Sequence, residues 1–373
     1  MKKVLFVAHV DSHIRHFHLP YLKYFKEKGY EVHVATSNDE NEKFPYCDVK
    51  HIVSFERSPL KINNIKAIGQ MKKILKEENF ELVHCHTPMG GVVTRLASGK
   101  ARKKGTKIMY TAHGFHFCKG APIQNWAIYY PIEKMLSKRT DVLITINHED
   151  YYLAKEKFYA KRVEMIHGIG VDDKKFNEAP LGSEEKEKLQ KELNIHDGDF
   201  VMMYVAELNK NKNQLLLIEA MQEIIKNAID CKLYLIGKGS LEDDYKNKIS
   251  ELHLEKNIYM LGYRSDVNQL LKLADLYVAS SLREGLPINL VEGALSGLPI
   301  LAKKNRGHNE IVQDDVNGYL FETKDEFISK VIQLKSDKEL YSHMKENARM
   351  SVQKFILENA FSEQKKIYEE VLK

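Results

Sequence analysis

The sequence predicts an α/β protein built from two domains, each with its own parallel sheet. The chain has 373 residues, which exceeds the length of one ordinary domain. Short runs rich in β-branched residues alternate with longer segments of helical spacing, as is typical of parallel strands joined by crossover helices. A stretch rich in glycine, proline and charge divides these runs into two sets.

The two sets of runs define the predicted domains. The first predicts a sheet within residues 1–170, from KVLFVAHV, YEVHVATS, VKHIVSF, FELVHCHT, TKIMYTAH, TDVLITIN and VEMIHGIG. The second predicts a sheet within residues 171–355, from FVMMYVAE, CKLYLIGK, NIYMLGY, DLYVASS, LPILAKK and NGYLFE. The hinge is expected between Gly168 and Pro180. Residues 356–373 have apolar side chains at helical spacing, and we expect a terminal helix there that crosses back to the first domain.

Composition narrows the class of protein. Hydrophobic residues make up 43% of the chain, yet no uninterrupted apolar run is long enough to span a bilayer. The amino terminus runs directly into a strand-like segment without a signal-peptide cleavage pattern, so we expect a cytoplasmic protein. The four cysteines lie far apart and form no CxxC pair, which argues against a zinc knuckle or a disulfide framework.

Charge is distributed unevenly between the two halves. Residues 1–170 carry 28 Lys and Arg against 17 Asp and Glu, and 12 of the 16 histidines. This excess indicates an anionic surface or substrate, although a solvated basic exterior would have the same composition. The basic run TRLASGKARKKGTK and the aromatic stretch APIQNWAIYYPIEK favour peripheral contact with an anionic membrane. Alternatively, the basic run is a solvated helix end and the aromatic stretch is a packed helix.

The stretch REGLPINLVEGALSGLPI, residues 283–300, carries two carboxylates at a predicted helix entrance. Pro287 suits the first turn of a helix, which places Glu284 before the helix and Glu292 about 7 Å along it. At that separation they cannot share one proton transfer, but they can bond hydroxyls at different parts of one extended ligand. The helix entrance attracts phosphates, so the pattern favours a nucleotide sugar. Chance spacing of glutamates is the alternative.

This pattern resembles the E, seven residues, E motif of the family 4 glycosyltransferases, retaining enzymes of the GT-B fold. In that fold two Rossmann-like parallel-sheet domains face each other across a cleft. Further resemblances are LIGKGSLEDDY, NIYMLGYRSDVNQLLKLADLYVASSLREGLP, ELVHCHTP and YTAHGF. The segments ELNKNKNQ, HGIGVDDKKF and FHLPYLKYF are similar to the branch that builds capsule or exopolysaccharide repeat units.

The resemblance implies roles for residues of the second domain. Glu292 would bond the ribose hydroxyls of the donor, Glu284 the hydroxyls of its sugar, and Lys212 its phosphates. Donor contacts are also expected from the segment of Gly285, Leu286, Pro287 and Ile288. Many relatives have an arginine where this chain has Glu207, and we expect Lys210 to act with Lys212 in its place.

The donor base is expected over the segment GYRS. Tyr263 would offer a stacking face and Arg264 a backbone amide, while Gly237 and Gly239 would let the chain pass close to the base. On their own, the glycines would indicate only a tight turn. Tyr263 alone would indicate half-buried packing.

Histidines carry the predictions for the first domain. The resemblance places His113 beside the donor sugar, where it would orient a hydroxyl or the developing charge; a hydrogen-bonded histidine at a strand end is the alternative. His16 and His18 are candidates for the acceptor side. His84 and His86 form an HxH pair, but the sequence shows no third ligand, and we expect no metal there.

The predicted activity is retaining transfer of a sugar from a nucleotide-diphosphate donor, with UDP favoured, to a saccharide acceptor that is lipid-linked. The resemblance implies that no cofactor is needed, since lysines and helix amides replace a metal. A nucleotide-sugar 2-epimerase and a sugar-nucleotide-binding regulator without turnover are the alternatives. An NAD oxidoreductase is disfavoured because no strand precedes a GxGxxG fingerprint, and no nucleic-acid partner is expected.

Overall fold

The computed structural model describes residues 1–37, 44–58, 61–176, 180–227 and 230–373. These residues form two compact units, Met1–Gly170 with Glu358–Lys373, and Val171–Leu357. The hinge segment expected between Gly168 and Pro180 includes residues 177–179, which lie outside the described ranges.

The first unit contains a seven-stranded sheet in which every neighbouring pair is parallel. Its strand order is β3-β2-β1-β4-β5-β6-β7. The strands are β1 Lys3–Val7, β2 Glu31–Thr36, β3 Val49–Ile52, β4 Leu82–His86, β5 Lys107–Ala112, β6 Val142–Thr145 and β7 Arg162–Met165. All seven predicted strands are confirmed. The central ones are buried on both faces, which explains their nearly continuous apolar sequences.

Eight helices belong to the described part of this unit. They are α1 Asp11–Phe17, α2 Leu19–Glu27, α3 Asn63–Glu77, α4 Pro88–Ala97, α5 Gly99–Lys103, α6 Ile123–Ser137, α7 His148–Lys157 and, at the end of the chain, α16 Leu357–Val371. Tyr368 of α16 is completely buried, and its ring lies 4.9 Å from that of Phe25. This aromatic contact anchors α16 in the core of the first unit.

The second unit contains a six-stranded sheet, again with every pair parallel. Its order is β10-β9-β8-β11-β12-β13. The strands are β8 Phe200–Val205, β9 Cys231–Ile236, β10 Ile258–Gly262, β11 Leu276–Ala279, β12 Ile300–Lys303 and β13 Gly318–Phe321. These six strands also match the sequence prediction. The chain reverses its direction of travel across the sheet between β8 and β11, and such a switch point is where ligands of open α/β sheets bind.

Eight helices belong to the described part of the second unit. They are α8 Asp173–Phe176, α9 Ser183–Glu192, α10 Gln214–Lys226, α11 Glu242–Glu251, α12 Val267–Leu270, α13 Ile288–Leu295, α14 Lys324–Ser336 and α15 Lys338–Ser351. Single turns of 3-10 helix cover Leu271–Leu273, His308–Glu310 and Gln353–Phe355. Among the residues described in both units, no helix combines the length and apolar character needed to cross a membrane.

Candidate active site

Two loops meet at the switch point of the second sheet. One follows β8 and the other follows β11. The amide of Leu282 donates to the carbonyl of Asn211 at 2.8 Å, and the Asn211 side chain donates back to the carbonyl of Arg283 at 2.9 Å. The Ser280 hydroxyl lies 2.9 Å from the carbonyls of Lys212 and Asn213. These bonds hold the segment before α13 against the segment that carries Lys212.

The loop contacts bring Lys212 and Glu284 together. The Lys212 ammonium lies 2.6 Å from a Glu284 carboxylate oxygen, and the two side chains are 21% and 14% exposed. A charged hydrogen bond with this little solvent is stronger than a surface ion pair. Two residues that the sequence assigns to donor phosphate and donor sugar are therefore neighbours in space.

Residues after β12 support Glu284 from the other side. The Arg306 side chain donates to the Glu284 carbonyl at 3.0 Å. Gly307 packs so closely that a Cβ there would lie 2.7 Å from the Cβ of Glu284. His308 is buried, and this burial lowers its pKa to about 4. The sequence analysis assigned no role to Arg306, Gly307 or His308. Their segment, RGHNE, follows a predicted strand, which places it at the same sheet edge.

Glu292 lies in the second turn of α13. Pro287 occupies the cap position and the helix begins at Ile288, one residue later than the sequence suggested. The Asn289 amide donates to the Val205 carbonyl at 2.9 Å, which fixes the helix entrance at the end of β8. Burial raises the pKa of the Glu292 carboxyl, opposed by the charge of Lys175. A carboxylate that is partly desolvated in this way gains from a ligand that donates hydrogen bonds to it.

Tyr263 and Arg264, which are expected to hold the base, differ in how accessible their side chains are to a ligand. Tyr263 is 75% exposed, so its ring face is accessible to a ligand. The Arg264 guanidinium bonds the carboxylate of Asp266 and that of Glu192. Those ion pairs occupy its side chain, which leaves the predicted role to its backbone amide.

Gly237 and Gly239 lie where two loops are in such close contact that a side chain would not fit. A Cβ would lie 2.1 Å from the Ala206 carbonyl oxygen at Gly237, and 2.2 Å from that of Leu208 at Gly239. The Leu208 amide also donates to the Lys238 carbonyl at 3.1 Å. The two glycines therefore let the loop after β9 pack on the loop after β8, which is a structural requirement in addition to the expected approach to a base.

Replacing Gly237 by alanine should destabilise the second unit. Gly237 has a φ of +145°, so the new side chain would meet both backbone strain and the Ala206 carbonyl. Gly198 is a matched control, because its φ is +91° but a Cβ added there would meet nothing within 4 Å. We expect Gly237→Ala to lower the free energy of unfolding by about 1–3 kcal/mol more than Gly198→Ala does, as measured by urea denaturation. Equal losses would contradict the loop contact.

Lys210 and Glu207 are both exposed on the loop after β8. The Glu207 carbonyl accepts a hydrogen bond of 2.9 Å from the Gln214 side chain, which fixes the backbone at this point. Lys210 lies between this anchor and Lys212 in the chain. Its side chain is exposed, which leaves the ammonium in solvent.

A second group of predicted residues lies in the first unit. A cavity of about 550 Å³ follows the carboxyl ends of β1, β4 and β5, and its lining includes His9, His13, Thr87 and His113. Thr87 has a φ of +61°, a conformation that costs energy for a residue with a side chain and is common at functional sites. The cavity is therefore the candidate ligand site of this unit.

The structure separates the predicted histidines. His18 is buried behind the cavity, with its ring 6.4 Å from that of His113. His16, in contrast, is exposed, and its Nδ1 lies 2.6 Å from the Ser12 carbonyl. Burial lowers the pKa of His113 and of His18 well below the ordinary value. Both rings are therefore neutral at physiological pH.

Family models match both units of the chain. The model for glycosyl transferases group 1 matches residues 185–351, and the glycosyl transferase 4-like model matches residues 3–147. A protein of Bacillus subtilis (strain 168) named "Putative glycosyltransferase EpsD" is 43% identical over 370 residues, covering 98% of this chain and 96% of that protein. A protein of Escherichia coli named "UDP-Gal:alpha-D-GlcNAc-diphosphoundecaprenol alpha-1,3-galactosyltransferase" is 31% identical over 298 residues, covering 78% of this chain and 75% of that protein.

Solved structures show the same fold. The Anabaena protein HepE, crystallised with UDP and glucose, superimposes with a TM-score of 0.77 at 19% identity, covering 99% of this chain and all of that one. A glycosyltransferase from Rickettsia africae superimposes with a TM-score of 0.79 at 19% identity, covering 100% and 99%. The predicted GT-B fold, with two Rossmann-like domains, is confirmed. The chain thus belongs to the GT-B glycosyltransferases, in the group that the 4-like and group 1 family models describe.

Proposed function

We propose that this glycosyltransferase moves a hexose, with retention of configuration, from a UDP-sugar to a lipid-linked saccharide in exopolysaccharide or capsule assembly. The observation that carries the proposal is the grouping of Lys212, Glu284 and Glu292 around the start of α13. The names of the relatives support the finer assignments. One is named for UDP-galactose and a diphosphoundecaprenol-linked acceptor, and another carries the name EpsD.

In this proposal the second unit binds the donor. Glu292 accepts hydrogen bonds from the ribose, Glu284 from the donor sugar, and the base lies at Tyr263 with the Arg264 amide at its edge. The backbone before and at the start of α13 supplies amides to the sugar and diphosphate, from Gly285, Leu286 and Ile288 around Pro287. When the donor binds, the Lys212 ammonium leaves the Glu284 carboxylate and contacts a donor phosphate. The positive end of α13 adds to this attraction.

The transfer step needs no nucleophile from the protein in this proposal. The acceptor hydroxyl attacks the anomeric carbon on the face from which the diphosphate departs, and a phosphate oxygen takes its proton. His113 orients the reacting sugar from the first unit. The protein contributes positioning and stabilisation of the departing charge, which Lys210 and Lys212 share in place of the arginine absent at Glu207.

The first unit binds the acceptor and contacts an anionic membrane surface in this account. Lysines surround a surface depression of about 540 Å³ between α3 and α5, namely Lys72, Lys76, Lys100, Lys103 and Lys104. Each basic residue near an anionic leaflet contributes about 1 kcal/mol. Two side chains of α6, Ile123 and Ile128, are 79% and 49% exposed and supply apolar contact. The chain would then work at the inner face of the cell membrane.

A panel of UDP-sugars tests this function. Free UDP that appears only when a lipid-linked saccharide is added supports transfer, and the anomeric configuration of the product, read by NMR, tests retention. A changed sugar without acceptor would indicate epimerisation instead. Tight donor binding with neither reaction would indicate a regulator.

Lys210→Ala should lower kcat at least about tenfold, since a hydrogen bond to a charged group contributes about 1.5–3 kcal/mol. Lys246→Ala is the control, because Lys246 is another surface lysine of this unit and pairs with Glu242 at 2.7 Å. We expect the control to keep wild-type kcat in steady-state assays. An unchanged kcat for Lys210→Ala would leave Lys212 as the only cation that replaces the family arginine.

A further inference from the structure

Four histidines converge at the inner wall of the cavity in the first unit. His13 lies on α1, His18 directly follows α1, His86 ends β4 and His113 directly follows β5. One nitrogen from each ring can be chosen so that all four lie within 4.8 Å of one another. Three chain segments that are distant in sequence therefore place imidazole nitrogens around one point.

Several of these nitrogens are buried without a hydrogen-bond partner among the described residues. They are Nε2 of His13, both ring nitrogens of His18 and Nε2 of His86. His84, two residues before His86, is different. Its Nδ1 lies 2.6 Å from the Tyr368 hydroxyl and its Nε2 lies 2.8 Å from that of Thr111. Buried polar atoms are normally paired, so this concentration of unpaired nitrogens points to a ligand that they share.

We propose that His13, His18, His86 and His113 bind a divalent transition-metal cation of the Zn²⁺ class. Neutral imidazole suits zinc, copper, nickel and iron, whereas magnesium and calcium require oxygen ligands. The carboxylate of Asp11, on the same helix as His13, already accepts bonds from the Thr36 hydroxyl and the Lys50 ammonium. The ligand set is therefore nitrogen alone.

The four nitrogens lie within 4.8 Å of one another and would draw closer around such a cation. Ligand nitrogens around a tetrahedral zinc are about 3.3 Å apart, since each zinc–nitrogen bond is about 2.0–2.1 Å. Nε2 of His113 lies 3.4 Å from Nδ1 of His86, a separation that suits ligation of His86 through Nδ1. The His18 and His86 rings are stacked, with centroids 3.8 Å apart, so these rings must turn before each directs a nitrogen at one ion. His13 and His113 line the cavity, which provides the entry path.

The HxH pair of β4 gave no such indication by itself, since the sequence showed no third ligand for it. The partners come from α1 and β5, and their approach depends on tertiary packing.

The consequence for catalysis rests on the proposed function. A cation held by His113 removes that ring from the donor sugar, so the bound metal should inhibit transfer.

Cobalt substitution tests the site directly. The full chain, purified without a histidine tag and without donor or acceptor, should bind about one Co²⁺ with the intense visible absorption of tetrahedral nitrogen ligation. Zn²⁺ should displace the cobalt and abolish the absorption. His13→Gln should weaken binding at least tenfold, since it removes one ligand. His16→Gln is the matched control, because His16 lies on the same helix but is exposed and outside the cluster.

Three outcomes would overturn the proposal. They are the absence of visible absorption with Co²⁺, a weak octahedral spectrum, and binding that His13→Gln leaves unchanged. His13 is only partly buried, and circular dichroism would verify that its variant folds. Because no sugar nucleotide is present, the result is independent of whether the transfer reaction has been assigned correctly.

Discussion

Replacing Glu292 by alanine should weaken UDP binding about a hundredfold while leaving the protein folded. The proposed ribose contact involves hydrogen bonds to a charged group, each contributing about 1.5–3 kcal/mol. Two such bonds account for a loss of at least about a hundredfold, since tenfold in affinity corresponds to about 1.4 kcal/mol. Isothermal titration with UDP measures the effect. Asn289→Ala would be a poor control, because Asn289 fixes the helix entrance. Glu187→Ala serves better, because Glu187 is exposed on α9.

The same carboxylate should lower the stability of the ligand-free protein. Burial raises the pKa of Glu292, so the folded state disfavours its charged form. The carboxylate therefore costs stability at neutral pH, and stability is regained as the pH falls through the raised pKa. Glu292→Gln, which is nearly isosteric, should raise the melting temperature at neutral pH and reduce this gain on acidification. A lower melting temperature at neutral pH would instead assign Glu292 a structural partner.

Lys212→Ala should lower kcat by about a hundredfold or more. Removal of one preorganised group that stabilises developing charge typically costs about 10²–10³ in rate. In the ligand-free protein the substitution also leaves the Glu284 carboxylate with little solvent and without its cation. We therefore expect a loss of thermal stability together with the loss of activity.

A double variant separates these two effects. Lys212→Ala/Glu284→Ala removes both charges, so it should recover part of the melting temperature lost in Lys212→Ala. Glu284→Ala alone should lower turnover because the donor sugar loses its acceptor group. All three variants should have a low kcat in steady-state assays, including the double variant, whose melting temperature is partly restored. Near-wild-type activity in all three would contradict the assignment of this pair to the donor.

Strand positions could be predicted because they follow from local sequence. Strands buried on both faces are nearly continuous apolar runs, and glycine, proline and charge mark their ends. All thirteen described strands were identified this way. The buried face of the last helix was predicted less well. Tyr368 is completely buried, whereas the apolar spacing that predicted the helix relied on Phe361, Ile367 and Val371, of which only Ile367 is buried.

Contacts between distant segments could not be predicted from the sequence. Lys212 and Glu284 are 72 residues apart, and their pairing depends on the switch point between β8 and β11. Gly237 was expected to let the chain pass close to a donor base, whereas the close contact that the structure shows is with the Ala206 carbonyl. His16 and His18 were equivalent candidates in sequence. At the end of α1, His16 is exposed to solvent and His18 is buried in the core.

The central claim is that the donor binds at the start of α13 between Glu284 and Glu292. A crystal structure of the protein soaked with UDP tests this claim most directly. We expect the ribose hydroxyls within hydrogen-bond distance of the Glu292 carboxylate, and the diphosphate beside the Lys212 ammonium and the first turn of α13. A nucleotide bound elsewhere, with the Lys212–Glu284 ion pair intact and the helix entrance closed to it, would contradict the account.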